Sequence, residues 1–179
     1  ADVAALYGRA TTIPAARATF AALQSAAAGV LHVAGHTERQ HGGGEQALLL
    51  ARDGGVERVA WKQIVGALAP RGVVVLAACE TLRPPASDGT AALSLGGAFV
   101  AAGAADVIGT LAPVGDREAR LLFAQLHRRL AGGVRAAEAL RNVQVDAIHA
   151  QTRNESRRAW RAVALITRSI AAHDAKRKR

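Results

Sequence analysis

Two side chains in this sequence could form a bond to a substrate together. Cys79 is the only cysteine in the chain, and His36 precedes it by 43 positions. A thiol attacks as its thiolate, and a neighbouring imidazole favours that form, positions it and later hands the proton to a leaving amine. Each residue follows a short apolar run: VLHVA leads through Gly35 into His36, and GVVVLAA leads directly into Cys79. Residue types alone leave a second reading open, in which Cys79 is a small buried hydrophobe and His36 an ordinary loop histidine. Asp116 is well placed to cap the helix that follows it. Glu80, beside the cysteine, would oppose thiolate formation unless its charge is engaged in a loop contact.

Other constellations are weaker. His32 and His36, with His41 and Glu45 beyond, lack the shared helical face and intervening glutamate of a zinc hydrolase, so no metal is expected. The run Gly42-Gly43-Gly44 has no Lys-Ser/Thr after it and is read as a loop bordering the cleft, not as a phosphate cradle. Nothing in the sequence calls for a cofactor.

The elements that must position these residues can be read in outline. The spacing predicts a helix over 15–28, a strand at Val30–Ala34, and a hairpin over 45–60 on a sheet edge, turning at Asp53-Gly54-Gly55. A helix at 61–68 follows. The GVVVLAA run reads as a central parallel strand, because it is apolar without alternation. Residues 80–89 carry two prolines and a Ser-Asp-Gly and read as a loop, as do 37–44. A helix over 90–102, a strand at 106–111, helices at 116–130 and 134–150, and a last strand at 160–166 complete the order. Strands alternating with helices of crossover length give an α/β fold with a mostly parallel central sheet and helices on both faces. In such sheets chemistry gathers at the carboxyl ends of the strands, where His36 and Cys79 both fall.

Composition narrows the class. Of 179 residues, 43 are alanine and 3% are aromatic, so small and branched aliphatic side chains must build the core. One cysteine cannot make an internal disulfide, which suits a reducing compartment, the cytoplasm. No apolar run reaches the roughly 20 residues of a membrane span. The net charge of +9 is uneven: 14 basic residues face 12 acidic ones through Thr152, and 9 face 2 from Arg153 onward. The terminal KRKR, with Arg153, Arg157 and Arg158, has no interleaved aromatic residues, so a basic tail is expected and not a nucleic-acid surface.

The words LHVAGHTE and VVLAACET resemble the histidine and cysteine motifs of the CHAT family of caspase-like proteins, HFAGHG and LSACETG. GGAFVAAGAADVIGTLAPVGD, LLFAQLHRRLAGG, AAEALRNVQ and WRAVALI are similar, in order, to later segments of that family. The resemblance implies a caspase-like three-layer sandwich spanning residues 1–169, followed by a basic tail over 170–179. It implies a cysteine endopeptidase with Cys79 as nucleophile and His36 as general base and acid, while His32 is structural. The backbone N–H groups of Cys79 and Thr37 would hold the oxyanion. Thr37, Ala112 and Thr167 stand where the family commonly has glycine, tryptophan and glycine. Asp116 falls where caspase-like proteases build the P1 pocket, which implies a basic P1 residue. The implied partners are a protein substrate and a regulatory or repeat region, such as tetratricopeptide repeats, earlier in the same, longer bacterial polypeptide. The alternative is a catalytically silent domain of this fold that serves as an interaction or scaffolding module.

Overall fold

The computed structural model describes residues 3–40, 44–85, 93–150 and 159–168. Its strands are β1 (Val30–Ala34), β2 (His36–Arg39), β3 (Gln46–Arg52), β4 (Gly55–Ala60), β5 (Val73–Ala77), β6 (Asp106–Thr110) and β7 (Val163–Thr167). Its α-helices are α1 (Phe20–Gln24), α2 (Trp61–Ala67), α3 (Leu95–Ala101), α4 (Asp116–Ala131), α5 (Ala136–His149) and α6 (Ala159–Ala162). The apolar runs become one sheet in the order β1-β5-β6-β7. β1, β5 and β6 are parallel, and β7 closes the sheet antiparallel to β6.

β5 is central because both of its faces are apolar. Val74 and Leu76 join Val107, Ile64 of α2 and Phe99 of α3 in one buried cluster, while Val75 joins Ile108 with Phe123 and Leu126 of α4 and Leu140 and Val143 of α5 in another. The period of two along a strand sends alternate residues to opposite faces. The strands enter side by side because Gly29 and Gly72 touch: Val73 N–H donates to the Gly29 carbonyl at 2.9 Å, and a Cβ on Gly72 would fall 2.0 Å from that oxygen.

Four expectations change. The hairpin at 45–60 is present as β3 and β4, but it does not extend the main sheet; with β2 it forms a separate antiparallel sheet in the order β2-β3-β4. Residues 37–39, read as the beginning of the loop over 37–44, belong with His36 to the edge strand β2, paired to β3 from His36 opposite Leu49 to Arg39 opposite Gln46. The helix expected over 15–28 shrinks to α1, because Thr19 caps it by accepting from Ala22 N–H, and Ala18 is bound instead to β3 through Ala51 N–H. The last strand begins at Val163 and not at Trp160: residues 159–162 form α6, and Gln144 of α5 donates to the carbonyls of Trp160 and Val163. The expected helix at 90–102 is α3, with Ser94 as its cap; residues 90–92 lie outside the described residues, as do 86–89 of the loop, His41 to Gly43, Arg153, Arg157, Arg158 and the basic tail over 170–179.

Candidate active site

Strand register brings the two candidate residues to the same level. Ala34 of β1 pairs with Ala77 of β5, and Gly35 N–H donates to the Ala77 carbonyl at 3.3 Å, so His36 and Cys79 each stand two residues beyond a paired alanine on adjacent parallel strands. Both are exposed. The direct link between their segments is a hydrogen bond from the Thr37 hydroxyl to the Cys79 carbonyl at 2.7 Å.

β2 also determines where the Thr37 backbone points. Gln40 N–H donates to the Glu45 carbonyl, and antiparallel pairs alternate between bonded and non-bonded. Counting back along the register from that bond, Thr37 opposite Leu48 is a non-bonded pair, so its N–H is directed away from β3.

The turn after Cys79 is held from several sides. The Thr110 hydroxyl at the end of β6 donates to the Ala78 carbonyl at 2.8 Å, its N–H donates to Thr81 Oγ1 at 3.1 Å, and its carbonyl accepts from Leu82 N–H at 2.8 Å. Gly109 makes this contact feasible, since a Cβ there would lie 2.4 Å from Thr81 Oγ1. Glu80 occupies the left-handed region at φ 56°, a conformation that costs a residue with a Cβ and is imposed here by the surrounding bonds. Its carboxylate pairs with Arg83 at 2.5 Å and lies 3.8 Å from Arg39. The charge beside the thiol is thus engaged, as a loop contact.

Gln46 was not singled out in the sequence, where it only opens an apolar run. It is 5% exposed, and its Nε2 donates to Thr37 Oγ1 at 3.0 Å and to the Cys79 carbonyl at 2.9 Å. Arg39 donates to its Oε1 at 3.4 Å. The carbonyl at Cys79 can only accept, so the amide has one orientation that satisfies all its neighbours.

Asp116 opens α4 and is exposed, but it does not cap the helix. Gly115 is the cap residue, and Asp116 sits one place inside, where its charge still faces the positive helix end. His32 lies in β1 and turns toward α4: its Nδ1 is 2.9 Å from His127 Nε2, and His127 Nδ1 is 2.6 Å from the Tyr7 hydroxyl. Burial lowers the pKa of His32, and burial with the nearby His32 lowers that of His127 to about 4. These are structural imidazoles held neutral. Of the residues weighed as zinc ligands, His32 packs against His127 of α4 and His41 lies outside the described residues; among the described residues no group of three or more His, Cys, Asp or Glu side chains converges.

The structure is thus an α/β domain with a histidine and a cysteine just beyond the carboxyl ends of adjacent parallel strands. The chain matches the CHAT domain over residues 3–169 and belongs to that family, which is peptidase-like. No curated protein matches the chain. Among the described residues, no helix is long and apolar enough to cross a membrane.

Proposed function

We propose that this domain is a cysteine endopeptidase of caspase-like, three-layer build. The observation that carries the reading is the common level of His36 and Cys79 beyond the paired alanines of β1 and β5, with both side chains open to solvent. His36 takes the thiol proton as Cys79 Sγ attacks the scissile carbonyl. The oxyanion that forms is held by the N–H groups of Cys79 and Thr37, the latter directed away from β3. The intermediate collapses to an acyl-enzyme as the His36 imidazolium protonates the leaving amine. Water, deprotonated by His36, then releases the acid and restores the thiol. Two clusters of core residues, one with α2 and α3 and one with α4 and α5, support the three-layer reading.

Asp116 supplies selectivity for a basic P1 side chain, which its exposed carboxylate would receive by charge-assisted hydrogen bonds. The partners are a protein substrate and a regulatory or repeat region of the same polypeptide, in the cytoplasm, with no role for nucleic acid. A second reading, an interaction module without turnover, draws on Ala112, which is exposed where the family commonly places a tryptophan. Hydrolysis of a fluorogenic peptide library by the parent, Cys79→Ala and His36→Ala separates the two. Cleavage by the parent that both variants lose supports the peptidase; no cleavage, or equal cleavage by all three, supports the second reading.

A further inference from the structure

Cys79 sits between two peptide groups, and each is held by a different neighbour. The peptide preceding it carries the Ala78 carbonyl and the Cys79 N–H. A peptide bond is planar and trans, so these two groups point in opposite directions. The Thr110 hydroxyl binds the Ala78 carbonyl at 2.8 Å and is itself 2% exposed. The peptide following carries the Cys79 carbonyl, which accepts from Thr37 at 2.7 Å and from Gln46 at 2.9 Å. No backbone carbonyl meets the Cys79 N–H among the described residues.

We propose that Thr110, Thr37 and Gln46 are positioning residues that clamp both peptide planes flanking Cys79, so that its N–H is aimed outward as an oxyanion donor. This rests on the peptidase reading. None of the three side chains touches the reacting atoms; Thr37 meets the oxyanion through its backbone N–H alone. Thr110 sets the plane that contains the donor, and Thr37 with Gln46 sets the next plane, which together fix φ and ψ at Cys79. The engagement is complete on every side: Thr110 uses its hydroxyl, N–H and carbonyl on the turn, and both Nε2 protons of Gln46 are spent on Thr37 and Cys79. Thr37, where glycine is usual in the family, gains a function that glycine could not perform. Its hydroxyl joins β2 to the nucleophile turn.

Alkylation and peptide hydrolysis respond differently to such a clamp, because alkylation by iodoacetamide forms no oxyanion. The test compares the parent with Thr110→Val, which keeps the shape and removes the hydroxyl, Thr110→Ser, which keeps the hydroxyl, and Thr37→Val and Gln46→Leu on the other side. The proposal predicts that Thr110→Val lowers kcat/KM for a peptide substrate at least about tenfold, mostly in kcat, as expected when an oxyanion donor is misaimed. Iodoacetamide alkylation of Cys79 stays within about twofold, and Thr110→Ser recovers most of the loss. Thr37→Val and Gln46→Leu follow the same pattern. In 15N-labelled protein the Cys79 and Glu80 amide resonances, sharp and single in the parent, shift or broaden in Thr110→Val and Gln46→Leu. Equal losses in alkylation and hydrolysis, or unaltered amide resonances, overturn the clamp. A parent with sharp, clamped amides and no Cys79-dependent hydrolysis overturns the peptidase reading itself, and with it the catalytic purpose of the clamp.

Discussion

Acid should unfold this domain earlier than its carboxylates alone would require, because of His127. Its ring is fully buried on α4 between Tyr7 and His32, and its pKa is lowered from the ordinary 6.5 to about 4. A neutral imidazole fits the site, accepting at one ring nitrogen and donating at the other. Since the folded value lies below the unfolded one, the unfolded chain binds more protons between pH 4 and 6.5, so stability is complete above about 6.5 and falls as pH drops toward 4. Integrating from pH 7 to pH 5 gives a loss of about 2 kcal/mol from this one group, with a slope near pH 5 of about 1 kcal/mol per pH unit. His32, also lowered by burial, adds to the loss in the same direction. The assay is urea unfolding followed by circular dichroism at pH 7 and pH 5, for the parent and for His127→Phe. The variant is less stable at pH 7, because Tyr7 and His32 lose their partner, but it should lose about 2 kcal/mol less than the parent on going to pH 5. Equal losses in the two proteins would refute the reasoning.

Gly72→Ala should cost about 2 kcal/mol or more, because the new Cβ would fall 2.0 Å from the Gly29 backbone oxygen and force β1 and β5 apart; a thermal melt changed by less than about 1 °C would contradict this. Glu38→Gln, which breaks an ion pair with Arg58 between two exposed side chains, should change unfolding free energy by less than about 0.5 kcal/mol in the same melts. Asp116→Asn should reduce the preference for arginine or lysine over leucine or methionine at P1, read as the ratio of kcat/KM values across a peptide series. A parent that prefers aspartate at P1 would dispose of the acidic pocket.

What the sequence made legible follows from the strength of each local pattern. β5 was readable because an apolar run without polar alternation suits a strand covered on both faces, and β1 because the short run VLHVA stands between Gly29 and Gly35. α4 was readable from its apolar spacing, and the same spacing carried an unused signal: His127 follows Phe123 by four residues, on the face that is buried. β2 was not readable. His-Thr-Glu-Arg has no apolar alternation, and an edge strand of a small second sheet is defined by its partner β3 more than by its own residues. The missed Gln46 has the same origin, since a glutamine heading an apolar strand looks like a solvated end until the Cys79 carbonyl is placed beside it. His36 and Cys79 were found from their neighbours in sequence, whereas their common level came from the pairing of Ala34 with Ala77, which no local pattern encodes.

The central claim is that Cys79 is a nucleophile activated by His36. Incubation with a peptide acyloxymethyl ketone bearing arginine at P1, followed by intact-mass and peptide mapping by mass spectrometry, reads this directly. The account predicts one adduct per chain on the peptide containing Cys79, none in Cys79→Ala, and at least about tenfold slower labelling in His36→Ala. Labelling of the parent at any other residue, or at an unchanged rate in His36→Ala, would contradict it.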